Sequence, residues 1–143
     1  MPLNPMEHTS KRYDAELETV RSRALQMGGL AETQITAAIE ALSTGNLQLA
    51  DQTIANDHRV NALEVQIDED CAHIIARRQP AAQDLRMLVT VIKMITDLER
   101  IGDEAEKIAR MTKLIYSAER LLLPRFGEIK SAAGIALEML KKA

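Results

Sequence analysis

Hydrophobic positions along most of the chain recur every three or four residues, which is the period of an α-helix. The first such run follows the N-cap candidates His8, Thr9 and Ser10 and predicts a helix over residues 10–43. Its apolar positions are Tyr13, Leu17, Val20, Ala24, Met27, Ala31, Ala38 and Leu42. Gly28 and Gly29 interrupt the run, which we interpret as a kink or a close helix crossing rather than a ligand site.

Two further runs predict helices over 47–76 and 81–118. Gly45 is a helix stop, Asn46 an N-cap, and Pro80 suits the first turn of the third helix. The second helix has one apolar stripe, formed by Val60, Leu63, Ile67, Cys71 and Ile74. The third has two, one of Leu85, Leu88, Val89, Ile92 and Ile95 and one of Met87, Val91, Met94, Leu98, Ile101, Ala105 and Ile108. We therefore expect the third helix to pack against more than one neighbouring layer.

A fourth helix is predicted from Pro124 or Arg125 to the C-terminus. It is shorter than the others. Two interpretations fit: a complete four-helix bundle with one short member, or a chain truncated inside a larger protein.

Composition supports an all-α protein, because hydrophobic residues make up 46% of the chain and aromatic residues only 2%. The net charge of −3 argues against a nucleic-acid binder. No apolar run approaches the ~20 residues of a membrane span, and the N-terminus lacks the features of a signal peptide. Cys71 is the single cysteine and falls on an apolar stripe, so we expect it in the core. A cytoplasmic protein is the expectation.

Candidate chemistry comes from two pairs of carboxylates, each spaced one helical turn apart. Glu64 and Asp68 lie on the second helix, and Glu99 and Asp103 on the third. Residues at i and i+4 project from the same helix face. Carboxylate oxygens are ligands for hard cations, so two such helices side by side predict a site for Mg, Mn, Ca or iron rather than structural zinc.

Neighbouring polar residues extend these pairs. Asp57 and Asn61 share the ridge of the second-helix pair, and Glu106 continues the third-helix ridge towards Arg110. A turn near residue 79 would bring Asp57 and Asn61 level with Glu99 and Asp103, whereas Glu64 falls roughly 9 Å out of level with Glu99. Asp57 and Asn61 are thus secondary candidates, as are Glu106 and, on the first helix, Glu32.

The acids fit two alternatives, a cation site or a solvated face that has arginine neighbours, and periodicity alone favours the solvated face. No Ser/His/Asp set, Cys/His pair or phosphate-binding glycine loop is present in the sequence, which predicts no catalytic constellation.

Several separated segments resemble the PhoU family. They are NALEVQIDEDC at 61–71, RQPAAQDLR at 78–86 and TDLERIGDEAEKIA at 96–109, with YDAELE at 13–18 and MGGL at 27–30. The resemblance covers nearly the whole chain, and the motifs occur in the family's order.

The resemblance implies two tandem three-helix bundles that bind multinuclear metal clusters through Glu/Asp-x-x-x-Asp motifs. Carried onto this chain, the motif residues are Glu64, Asp68, Glu99 and Asp103. The metal would be iron, manganese or magnesium, with zinc a further candidate. Such proteins are not enzymes: they are cytoplasmic negative regulators of the phosphate response, peripherally associated with a phosphate ABC transporter and a membrane sensor kinase.

This chain departs from the family pattern in two places. Gln83 stands where a small capping residue is usual. More important, the second repeat has barely begun where the chain ends, so we expect a fragment: 1–9 disordered or extended, 10–118 a three-helix bundle, and 119–143 the opening helix of a second repeat. That helix would pack on its own bundle or exchange with a second chain, which makes a homodimer the expected assembly.

Three functions are weighed on this basis. The leading one is a metal-binding helical adaptor that regulates phosphate uptake and transcription of the phosphate regulon. The others are a metal-dependent phosphoryl-transfer enzyme and a purely structural bundle whose acids keep it in solution.

Overall fold

The computed structural model describes residues 5–121, 134–136 and 138–139. Three long helices account for almost all of the first range: α1 is Pro5–Thr44, α2 is Leu47–Arg78 and α3 is Ala82–Leu121. The predicted all-α fold and its three helices are confirmed, with bounds that differ by a few residues. The largest difference is at α1, because residues 5–9, predicted to be disordered or extended, are its first helical residues.

The α1–α2 connection is a glycine-capped helix end followed directly by an N-cap. Gly45 has a positive φ of 69°, and the Asn46 amide donates to the Ala41 carbonyl at 3.1 Å. This is the Schellman arrangement, in which a left-handed residue satisfies carbonyls at the helix end. The Asn46 side chain then accepts from the Leu49 amide at 3.0 Å, which caps α2. Two consecutive residues, Gly45 and Asn46, thereby end one helix and start the next.

At the α2–α3 connection the left-handed residue that ends the helix is a glutamine, which is less favourable there than glycine. Gln79 has a positive φ of 46° immediately after Arg78, the last residue of α2. Pro80 follows, and the Leu85 amide donates to the Ala81 carbonyl at 2.9 Å as α3 begins. A left-handed residue with a side chain is strained relative to glycine, and Pro80 cannot continue α2, so the chain reverses here.

The helices contribute to two compact units, and each is described separately. The first unit combines residues up to Ala31 with Arg59–Arg100. Its core draws on all three helices and consists of Leu17, Val20, Ala24, Met27, Val60, Ile67, Cys71, Ile74, Leu88, Val91 and Ile95. Most of the positions that the periodicity placed inward are therefore buried, because one stripe per helix meets at a shared axis.

Polar side chains join the helices at the surface of the first unit. Arg78 donates to Glu16 at 2.8 Å, and Arg23 pairs with Asp70. These pairs fix α1 antiparallel to α2. Tyr13 donates to Asp84 at 2.8 Å and so ties α1 to the start of α3; burial first, then this bond, raises the pKa of Tyr13 to about 12.

The second unit combines Glu32–His58 with residues from Ile101 onward. Its core cluster is built from small side chains, with Ala41, Ala50 and Ala109 fully buried and Leu49 and Ile54 packed against them. Two hydrogen bonds, one buried and one partly buried, add to it. Gln34 donates to the Thr53 carbonyl at 2.7 Å, and the Tyr116 hydroxyl donates to the Leu42 carbonyl at 2.8 Å, one of the acceptors left over at the end of α1.

Of the two interpretations of Gly28 and Gly29, the close helix crossing is wrong, because a Cβ at either position would meet nothing within 4 Å. The helix α1 continues through both residues, and a kink there stays a prediction. The outer members of both α3 stripes are not packed inside either: Leu85, Val89, Met94 and Ile101 are 38–40% exposed. Other members are buried: Leu88 and Ile95 of the first stripe and Val91 and Ala105 of the second.

The predicted fourth helix lies mostly outside the described residues. Residues 134–136 and 138–139 are helical, and Ile135 and Met139 are exposed. Across the part of the chain that the structure describes, none of the helices has the length and apolar character needed to span a bilayer.

Candidate metal centre

Three carboxylates of the second unit converge on one point. Asp57 of α2 and Asp103 and Glu106 of α3 each present an oxygen, and these oxygens all lie within 4.8 Å of one another. Asp103 and Glu106 are three residues apart and therefore share a helix face. Asp57 reaches them because α2 and α3 are antiparallel around the turn at Gln79 and Pro80. We call these three residues the acidic cluster.

Burial differs within the acidic cluster. Asp57 is only 7% exposed, whereas Asp103 and Glu106 are half-buried. A side-chain hydrogen bond joins Asp57 to Glu106. Two carboxyl groups share such a bond only if one of them carries a proton. Like charges this close together in a partly buried place require a proton or a cation to balance them.

Arg110 supplies one such cation from the next turn of α3. Its Nε and Nη2 both donate to Oε1 of Glu106, at 2.9 Å and 2.7 Å. The hydrogen bond from Arg110, followed by that from Asp57, lowers the pKa of Glu106 against the opposing effect of burial. Glu106 therefore stays ionised more readily than an isolated glutamate.

The donor set fits a hard cation. Ca takes oxygen ligands at roughly 2.3–2.6 Å and Mg at roughly 2.0–2.1 Å, so two ligand atoms on the same ion are at most about 5 Å apart for Ca and about 4 Å apart for Mg. The 4.8 Å limit that contains the three oxygens lies inside the span for Ca, and a smaller ion would need the oxygens to move closer. Carboxylates without Cys or His suit Mg, Mn, Ca or iron better than structural zinc.

The other predicted ligands lie elsewhere. Glu64 and Glu99 are half-buried and Asp68 is exposed, and all three belong to the first unit. Asn61 and Glu32 are exposed. Within the described residues, the acidic cluster is the one group of three His, Cys, Asp or Glu side chains close enough to hold an ion. Of the four motif residues it contains Asp103 alone, and metal binding at Glu64, Asp68 and Glu99 stays a prediction.

Arg110 is the residue whose part in this site the sequence reasoning missed. It was placed only near the end of the acidic ridge, although its i, i+4 spacing from Glu106 is a sufficient signal for an ion pair on a helix. Arg110 thus balances one acid of the α3 stripe, Glu106, from within the same helix.

Cys71 is buried in the core of the first unit, as predicted. Burial, and then the nearby charges of Asp70 and Asp68, raise the pKa of its thiol to about 11. A thiol kept protonated at neutral pH is a poor nucleophile and a poor metal ligand. Its role is to pack.

Comparison with known proteins identifies the family to which this sequence is similar. The PhoU domain model matches residues 24–112. The chain is 45% identical over 138 residues to a phosphate-specific transport system accessory protein PhoU homolog from Burkholderia sp, covering 96% of this chain and 59% of that protein. It is 47% identical over 138 residues to the phosphate-specific transport system accessory protein PhoU of Escherichia coli (strain K12), covering 96% of this chain and 56% of that protein.

A solved structure agrees with both. The crystal structure of PhoU from Pseudomonas aeruginosa superposes with a TM-score of 0.72 at 42% identity, covering 90% of this chain and 61% of that one. The chain thus spans little more than half the length of these curated relatives, 56–59%. The domain match includes about half of α1, all of α2 and the acidic cluster. This chain belongs to the PhoU family.

Proposed function

We propose that this protein is a regulatory accessory component of phosphate transport and acts by binding other proteins. The observation that carries the proposal is the match of residues 24–112 to the PhoU domain. Relatives that share 45–47% identity with the chain are named accessory proteins of the phosphate-specific transport system. In the finer form of this proposal, the chain is a cytoplasmic adaptor between a phosphate ABC transporter and a sensor histidine kinase and restrains the phosphate starvation response.

Repression of the starvation response tests this function. The chain, expressed in bacteria that lack their own accessory protein, is expected to lower a reporter driven by a phosphate-starvation promoter in phosphate-rich medium. It is also expected to co-purify with the phosphate transporter. A reporter that stays fully induced while the protein accumulates in folded form, without co-purification, would contradict the proposal.

We also propose that the acidic cluster holds a hard cation. Its support is the 4.8 Å spacing of three carboxylate oxygens together with the burial of Asp57. When bound, the cation would supply a positive charge shared between α2 and α3. Asp57 would contribute the interior ligand, and Asp103 and Glu106 the ligands nearer to solvent, so the ion would tie the two helices together.

Binding of Mn²⁺ should depend on the acidic cluster. D57N and D103N keep the shape of each side chain but remove a charged ligand, so we expect each to weaken Mn²⁺ binding by about tenfold or more. Electron paramagnetic resonance of free Mn²⁺ measures the affinity, and circular dichroism should show unchanged helicity. E104Q is the matched control, since Glu104 is 63% exposed beside the same residues and pairs with Lys107.

The paired-motif residues are tested in the same series. If E64Q, D68N or E99Q removes Mn²⁺ binding while D57N and D103N leave it unchanged, the ion lies on the paired motifs and the acidic cluster is not its site.

A second candidate function is metal-dependent phosphoryl transfer. Only the acidic cluster favours it, because carboxylates that hold a divalent cation are one component of such sites. Phosphatase activity that appears with Mn²⁺ and is lost in D103N would establish this function instead.

A further inference from the structure

Arg110 occupies an unusual position relative to the acidic cluster. Both of its contacts fall on one oxygen of Glu106, at 2.7 Å and 2.9 Å. Its side chain is nevertheless 61% exposed, whereas that of Glu106 is 25% exposed. The guanidinium therefore meets Glu106 from the solvent side and is not packed into the protein.

The bond that holds Arg110 in place is weak enough to exchange. A paired guanidinium normally places two donors on two carboxylate oxygens, and that fork-to-fork geometry is what gives such pairs their strength. Here two donors share one oxygen within a single helix, and exposed pairs of this kind add little stability. The long side chain can leave for water without exposing buried apolar surface, because most of it is already in solvent.

A cation at the acidic cluster and Arg110 cannot both interact fully with Glu106. They seek the same carboxylate, and a divalent ion there would repel the guanidinium at close range. We infer that Arg110 is a displaceable counter-ion: it neutralises Glu106 when the cluster holds no metal and leaves when a divalent cation binds. This inference rests on the metal site proposed above and adds a built-in competitor to it.

Arg110 should therefore lower the affinity of the acidic cluster for a divalent cation below the value that its three carboxylates alone would give. R110Q removes the charge and keeps a helix-forming side chain, so we expect it to tighten Mn²⁺ binding roughly three- to tenfold. R110K keeps a charge on the same turn and should stay within about twofold of the unmodified chain.

The matched control is K107Q. Lys107 lies on the same helix, is 71% exposed and pairs with Glu104 at 3.4 Å. K107Q thus changes the net charge by the same amount as R110Q but leaves Arg110 paired with Glu106, as in the unmodified chain. Titrations of the full 143-residue chain with Mn²⁺ at fixed ionic strength, read by paramagnetic resonance, compare the four proteins.

Tighter binding in R110Q with K107Q near the unmodified chain supports the inference. Equal or weaker binding in R110Q overturns it and makes Arg110 a positioning residue for Glu106, and equal gains in R110Q and K107Q overturn it in favour of net charge. The D103N variant separates the two proposals. If D103N weakens binding but R110Q does not tighten it, only the counter-ion inference fails; if D103N has no effect, the metal site fails as well.

Discussion

Replacing Gly45 with alanine is expected to destabilise the protein by about 2–4 kcal/mol, from left-handed backbone strain and overpacking together. Gly45 has a φ of 69°, which side chains disfavour. A Cβ at this position would also lie 2.6 Å from Cε1 of Tyr116. The ring cannot simply withdraw, because its hydroxyl is bonded to the Leu42 carbonyl. Urea denaturation followed by circular dichroism measures the loss.

Two further variants identify the origin of that loss. G29A is the same substitution inside α1, where a Cβ meets nothing within 4 Å, so it should stabilise the protein by about 0.5–1 kcal/mol. Introducing G45A into a Y116A background removes the ring and isolates the backbone strain, expected at about 1–2 kcal/mol. A G45A protein as stable as the unmodified chain would show that the glycine-capped end of α1 has been misassigned.

Truncation of Leu88 to alanine is expected to cost about 2–5 kcal/mol of unfolding free energy. Leu88 is fully buried in the core of the first unit, in contact with a cluster that includes Ile67 and Ile95. Removing its side chain deletes buried apolar surface and leaves a cavity that rigid helices fill only partly. Denaturant unfolding should show a lower midpoint with unchanged helicity under native conditions.

L25A provides the matched comparison. Leu25 is a leucine in the middle of α1 but is 78% exposed. The same substitution there should alter stability by no more than about 0.5 kcal/mol. Similar losses in L88A and L25A would mean that the two leucines do not differ in burial as described.

Much of the fold was accessible from the sequence because its helices are long and strongly periodic. The end of α1 at Gly45 and the N-cap of α2 at Asn46 could also be predicted, since both depend on the local backbone. What escaped prediction depends on partners distant in the chain. The contact of Tyr116 with Gly45 joins residues of different helices, and the exposure of Leu85 and Val89 depends on which neighbours α3 meets.

For the acidic cluster, too, the sequence predicts one part and leaves another open. Its members were all named as candidates because acids on one helix face and the register of an antiparallel turn can be worked out from spacing alone. Their ranking could not be worked out that way. The register already puts Asp57, and not Glu64, level with Asp103. Whether Asp57 or Asn61 reaches Asp103, and whether Glu99 or Glu106 joins them, depends on side-chain direction, which only coordinates provide.

The small-residue core of the second unit has a consequence for motion. Ala41, Ala50 and Ala109 bury little apolar surface compared with the methionine, leucines and isoleucines of the other core. Transient opening here is therefore resisted chiefly by amide and phenol contacts such as Gln34 with Thr53. An ion that bridged two helices of this unit would bind only the closed state and so make opening rarer. Amide-hydrogen exchange in this region should then be slower when the ion is bound.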